Sequence, residues 1–148
     1  MGAPLKTYDL SLVFCTIGGH RVGGYADAGS INLEMAEAVT TTSVGADGEV
    51  TASRNNNKVV FANITLRENA KSVRRLFELY AVQAAQPSIL PLPFLLRDIL
   101  NGDEIRDRFA VFEQIPPPSK GKTAGDRVFR VMLPNAREGM ILAGSVLI

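Results

Sequence analysis

The side chains best suited to chemistry are few and lie far apart in the chain. His20 is the single histidine and Cys15 the single cysteine of 148 residues. A metal centre needs several such ligands converging on one point. His20 stands instead beside Gly18-Gly19 and reads as an exposed turn residue. Cys15 sits in an apolar run with no flanking cation to draw out its proton, so it reads as a small core residue and not a nucleophile. Carboxylates occur at Glu34, Glu37, Asp47, Glu49, Asp98, Asp103 and Glu104, but no spacing pairs them as acid and base. Gly121-Lys122-Thr123 has the ending of a phosphate-binding loop, yet Pro116 stands where that loop needs its first glycine and no helix follows. The residues assemble no catalytic constellation, no metal set and no cofactor motif, so a non-enzymatic role is expected.

Composition narrows the remaining classes. Apolar residues make up 46% and charged residues 21%, with a net charge of +1 spread along the chain. That balance fits one soluble domain over residues 1–148 and disfavours charge-driven nucleic-acid binding. An unpaired cysteine favours a reducing compartment. The first residues lack a signal-peptide pattern, and no run reaches the roughly 18 apolar residues of a membrane span. Synthesis in a cytoplasm is the expectation.

The elements that must position these residues are mostly strands. Tyr8 to Ile17 alternates, Gly18-Gly19 is a turn signal, and His20 to Tyr25 returns as the second leg of a hairpin. After a turn at Asp27-Ala28-Gly29, Ser30 to Glu37 alternates with Ser30, Asn32 and Glu34 on one face and Ile31, Leu33 and Met35 on the other. Val59 to Leu66 places Val60, Ala62, Ile64 and Leu66 on a core face and Asn63 and Thr65 on a solvated one; Phe61 is the exception and should touch a neighbour. One helix is expected over about 68–84, capped by Asn69, with Val73, Leu76, Phe77, Tyr80, Ala81 and Ala84 inward and Arg74, Arg75, Glu78 and Gln83 outward. Phe94 to Leu100 and Ile105 to Ile115 flank the turn Asn101-Gly102-Asp103. Ser119 to Asp126 is a basic loop, Arg127 to Leu133 alternates, and Met140 to Ile148 forms a last apolar run. The pattern predicts a mainly β protein, a β-sandwich or barrel of about eight strands with one flanking α-helix.

One stretch fits this plan poorly. Thr40, Thr41, Thr42, Ser43, Val44, Gly45, Ala46, Asp47, Gly48 and Glu49 form a polar segment with no large side chain to bury. The β-like runs Glu49 to Arg54 and Val59 to Leu66 follow it and flank a four-residue turn, Asn55-Asn56-Asn57-Lys58, as the two legs of a hairpin. A segment without a core of its own is either a free surface loop or is ordered by something outside it.

Several strings, in order, resemble one family. They are Tyr8-Asp9-Leu10-Ser11-Leu12-Val13-Phe14, Thr16-Ile17-Gly18-Gly19-His20-Arg21-Val22-Gly23-Gly24-Tyr25 and Val44-Gly45-Ala46-Asp47-Gly48-Glu49-Val50. Leu90-Pro91-Leu92-Pro93-Phe94, Pro118-Ser119-Lys120-Gly121-Lys122 and the final strand after Leu133-Pro134-Asn135 continue the series. Together they resemble the tail tube proteins of tailed bacteriophages, of the contractile kind.

The resemblance implies a structural subunit of the virion tail. It implies hexameric rings stacked into a hollow tube through which DNA and the tape-measure protein pass, with sheath, baseplate and tail-terminator proteins as further partners. A baseplate or tail-end adaptor, or the inner tube of a secretion machine, is the alternative within the same fold. The resemblance also implies a long hairpin arm between rings, matched by position to residues 40–59. Ser30, Asn32, Glu34, Asn63 and Thr65 then become candidates for a lumen lining that does not hold phosphate, although an ordinary solvent face would look the same. Lys71, Arg74, Arg75 and Glu78 become candidates for an outer, sheath-facing surface, against the alternative of a plain solvated helix face.

Overall fold

A computed structural model describes residues 13–23, 31–88, 90–117 and 125–147. The expected start of the first strand before residue 13, Gly24, Tyr25, the turn at 27–29, Ser30 and most of the basic loop lie outside them.

The described chain holds eleven strands and one helix, more strands than the eight expected because several are only two or three residues long. They are β1 (Val13–Ile17), β2 (His20–Arg21), β3 (Ile31–Met35), β4 (Thr40–Val44), β5 (Val50–Arg54), β6 (Val60–Arg67), α1 (Lys71–Ala84), β7 (Leu92–Asp98), β8 (Asp103–Gln114), β9 (Asp126–Leu133), β10 (Met140–Leu142) and β11 (Ser145–Leu147). Nine strands make one antiparallel sheet whose main path runs β2-β1-β7-β8-β9-β6-β3. Among the described residues this path does not close into a barrel; the arrangement is sandwich-like.

The fold turns on β8. Its first part pairs with β7, from Asp98↔Asp103 to Leu92↔Ala110, and its last part pairs with β9 at Val111↔Met132 and Phe112↔Val131. Register shifts accompany both pairings, between Leu92 and Phe94 and between Phe112 and Gln114. Such bulges bend a strand and raise its twist, so β8 serves two half-sheets that share one core. Cys15, Ile17, Phe94, Leu96 and Ile105 enter that core from one half. Ala62, Ile64, Leu66, Phe129, Val131 and Leu133 enter from the other.

Helix α1 covers the junction. Phe77 meets Phe129 edge-to-face at 5.2 Å between ring centroids, and Tyr80 meets Phe112 at 6.2 Å. Its inward stripe is rotated from the expected one: Ser72, Val73, Leu76, Leu79 and Gln83 are buried, while Ala81 and Ala84 are exposed. It also starts later, at Lys71, with Ala70 as a cap that makes no side-chain bond, so Asn69 is not the cap. Gln83 is the largest departure. Its Nε2 donates to the carbonyls of Leu90 (2.7 Å) and Ala110 (3.3 Å), and its Oε1 accepts the Phe112 N–H at 3.0 Å. Ala110 and Phe112 lie where β8 passes from β7 to β9, so one amide satisfies backbone groups that the strand's change of partner leaves over.

Two other expectations change. The run Glu49 to Arg54 does not turn back on Val59 to Leu66. As β5 it pairs with β4 in a separate two-stranded sheet, and β6 instead lies between β3 and β9. The last apolar run divides into β10 and β11 around Ala143-Gly144, and Gly102 supports that turn. A Cβ at Gly102 would sit 2.9 Å from the Gly144 nitrogen, and its φ of +74° is unfavourable for other residues.

Replacing Gln83 with Leu should keep the helix and strand the Phe112 N–H and Ala110 C=O. We expect a loss of about 2–4 kcal/mol, read as a lower urea midpoint at an unchanged slope; an unchanged midpoint would show that the corner is satisfied otherwise.

Candidate functional site

Thr40 to Glu49 is not an irregular polar loop. β4 and β5 form a regular ladder from Thr40↔Arg54 to Val44↔Val50, and every residue in it is exposed. The turn is well determined. The Gly45 N–H donates to the Glu49 carbonyl (2.8 Å), the Gly48 N–H donates to the Gly45 carbonyl (2.9 Å), and Asp47 Oδ1 accepts the Glu49 N–H (3.1 Å). Gly48 has φ +85°, the left-handed residue that a hairpin turn of this length requires. Alternation then separates two faces. One carries the hydroxyls of Thr41, Ser43, Thr51 and Ser53. The other carries Thr42, Ala52, Val44 and Val50, the two valines 69% and 65% exposed. A valine pair left in water beside two carboxylates at a hairpin tip contributes nothing to the core of its own domain.

The root of this arm is firmly held. Asn55 N–H donates to the Val39 carbonyl (2.8 Å), and the Asn55 amide donates to the Glu37 carboxylate. Asn55 Oδ1 and Asn57 Oδ1 accept the N–H groups of Asn57 and Val59, two successive Asx turns. Arg137, from the loop after β9, donates through Nη1 to the Asn57 carbonyl (2.8 Å) and through Nη2 to the Asn55 carbonyl (2.7 Å). Residues 55–58, expected as a hairpin turn, are therefore the anchored base of the arm.

The candidate polar face lies on β3 and β6. Asn32 is exposed and pairs in register with Asn63, which is half-buried like Thr65. Glu34 is exposed but not alone: Arg130 on β9 reaches it at 3.3 Å and reaches Glu113 on β8 at 3.5 Å. The same guanidinium lies 4.1 Å from the centroid of the Phe61 ring, which supplies the neighbour expected for Phe61. The face is thus a charge-compensated cluster as well as a run of small polar groups. Arg130 lies on the outward register of β9 with Val128 and Met132, and the β6–β9 pairing brings it to Glu34. On α1, Lys71, Arg74, Arg75 and Glu78 are all exposed, with Glu78 bound by Arg74 (3.5 Å) and Arg75 (3.2 Å).

The two reactive side chains have structural surroundings. Cys15 is fully buried, and burial raises its pKa to about 12. His20 is half-buried and not a free turn residue: Nε2 lies 3.0 Å from Ser72 Oγ, which accepts the Gly23 N–H at 2.9 Å. With the ring neutral and protonated on Nδ1, Nε2 accepts a hydrogen bond from the Ser72 hydroxyl and completes this set. Desolvation, followed by the charge of Arg75, holds the His20 pKa below its ordinary value. Among the described residues, no three or more His, Cys, Asp or Glu side chains could jointly hold a metal ion, and no helix is long and apolar enough to cross a membrane.

Comparison with protein families gives a match over residues 7–134 to the model described as Bacteriophage PhiTE tail tube protein. Comparison with curated proteins finds no match.

Arg137→Ala should free the Asn55 and Asn57 carbonyls, cost about 1–3 kcal/mol, and speed amide exchange at Asn57 and Val59 while leaving β6 and β9 protected. Because the folded state resists protonating His20, stability should be intact above the ordinary histidine value near 6.5 and fall as pH drops below it. His20→Gln should flatten that acid slope in urea titrations, and an unchanged slope would exclude His20 as its source.

Proposed function

Because the chain belongs to the bacteriophage PhiTE tail tube protein family, we propose that it is the repeating subunit of a tail tube in the virion, forming hexameric rings that stack around a DNA-conducting lumen. The observation that carries this reading is the β4–β5 arm: a regular hairpin, rooted by Arg137 and the Asn55–Asn57 turns, whose valine pair is left mostly exposed. A stiff, anchored projection with an apolar tip is suited to reach a neighbouring subunit. Its prior order lowers the entropy lost on docking compared with a loop that must fold on contact.

Edges give a second reason for assembly. Among the described residues β2 and β3 end the main path of the sheet, and an open antiparallel sheet must cover or pair its edges to avoid uncontrolled association. A closed ring of identical subunits does this.

In the proposed tube the β3–β6 face, with Asn32, Glu34, Asn63 and Thr65, lines the lumen. Compensation of Arg130 by Glu34 and Glu113 supports this assignment, since a guanidinium held by two carboxylates offers phosphate little net attraction. DNA would slide past without lodging. The α1 surface bearing Lys71, Arg74, Arg75 and Glu78 is proposed to face outward to the sheath of a contractile tail. Tape-measure, baseplate and terminator proteins are the further partners, and the subunit is made in the host cytoplasm before assembly.

Purified protein at high concentration should form rings or short tubes in negative-stain images; a strictly monomeric species at every concentration, alone or with tail partners, would sink the proposal. Replacing residues 42–52 with a short glycine turn, between the Thr41↔Ser53 pair, should leave the melting curve nearly unchanged and abolish stacking. Normal-length tubes from that variant would remove the arm from the mechanism.

A further inference from the structure

The outer surface of the half-sheet β2-β1-β7-β8 has a charge pattern that neither the fold nor the lumen accounts for. In register across it, Phe14 meets Arg97 and Arg97 meets Glu104; Thr16 meets Leu95 and Leu95 meets Arg106. Arg21 stacks over Phe14 at 4.8 Å, and exposed Arg108 adjoins exposed Phe109. Among the described residues, four guanidiniums therefore share a face whose outward strand positions hold one carboxylate, Glu104, and Arg106 already binds it (Nε at 2.7 Å). Glu138 at the margin is paired with Lys58. Elsewhere, Arg130 lies between Glu34 and Glu113, and on α1 Arg74 and Arg75 share Glu78 beside exposed Lys71, a smaller excess than four guanidiniums to one carboxylate. Among the described residues, this face therefore carries an excess of positive charge, beside an open groove of about 700 Å³ that Pro93, Leu95, Phe109 and the paired Glu138 help to line.

We propose that this arginine-bearing face is the landing surface for the arm tip of a second copy of this chain. The inference rests on the reading of β4–β5 as an assembly element and names its receptor. The tip presents the complement: carboxylates at Asp47 and Glu49 flanked by the exposed Val44 and Val50. Arg97 and Arg108 meet the carboxylates, and the valines cover the groove beside Phe109. Tip and face are different patches, so the contact is heterologous and repeats from copy to copy, generating a ring or a filament. A symmetric tip-to-tip contact would instead oppose Asp47 and Glu49 to their own copies, which like-charge repulsion disfavours.

The test uses charge reversal in the full chain, at positions exposed enough to leave the fold intact, with circular dichroism melts as the check. Asp47→Asn, which keeps the acceptor for the Glu49 N–H, with Glu49→Lys, and separately Arg97→Glu with Arg108→Glu, should each lower the assembled fraction by about tenfold or more at physiological salt; the four-fold variant, which restores opposite charges, should recover most of it. Wild-type-like assembly by either pair, or no recovery in the combination, overturns the proposal while the tube reading stands. A wild-type protein that never assembles removes the tube reading and this receptor with it. Glu49→Cys with Arg108→Cys gives a second readout, since the native Cys15 is buried. Interchain disulfides in mildly oxidised assemblies support the contact, and their absence from assembled material overturns it. If labelled duplex DNA binds this face, is lost on Arg97→Glu with Arg108→Glu, and assembly ignores the arm charges, the face serves nucleic acid and the proposal fails.

Discussion

The buried amide of Gln83 is the contact on which the two half-sheets depend. A strand that changes partners midway must leave backbone donors and acceptors unmatched at the change, and in a dry core each unmatched group costs on the order of 1–3 kcal/mol. β8 changes partners between Ala110 and Val111, and Gln83 takes up the Ala110 carbonyl and the Phe112 N–H together. The packing of α1 and the bend of β8 are therefore one event. Around it, Phe77, Phe112, Phe129 and Tyr80 interlock edge-to-face, adding roughly 0.5–1.5 kcal/mol per pair beyond their burial.

That rigid junction is what lets a hairpin stand outside the domain and still have a direction. The loop carrying Arg137 begins where β9 ends, and Asp107 on β8 accepts the Asn135 N–H at 2.7 Å. Arg137 then grips the Asn55 and Asn57 carbonyls at the arm's base. From the bent strand to the projecting tip the path is a chain of charged or amide groups on backbone atoms, so the aim of the arm follows from the core. In the proposed assembly the binding elements need little reordering.

Much of this was legible in the residues. The alternation Val60, Ala62, Ile64, Leu66 identified a core face that is buried throughout, and Asn101-Gly102-Asp103 marked the β7–β8 hairpin. Gly18-Gly19 marked the β1–β2 turn. Phe61, out of place on a polar register, did have a partner in Arg130. The reading failed where a local pattern competes with a distant one. Gln83 belongs by its polarity to the outward side of a helix, and only the unmatched backbone of β8 draws it inward. Thr40 to Val44 has no apolar alternation and so gave no strand signal; its order comes from its ladder with β5 and its turn.

The sequence by itself determined the mainly β class, the helix and most turns, because these follow from side-chain period and from neighbours close along the chain. Tertiary structure alone decided which strands pair: β5 with β4 and not β6, and Arg130 with Glu34 across 96 positions. Pairing is a contest among edges of similar local propensity, settled by which arrangement leaves the fewest buried backbone groups unpaired. The same contest set the charges of the face across β1, β2, β7 and β8, whose arginines are scattered in sequence and adjacent only in register.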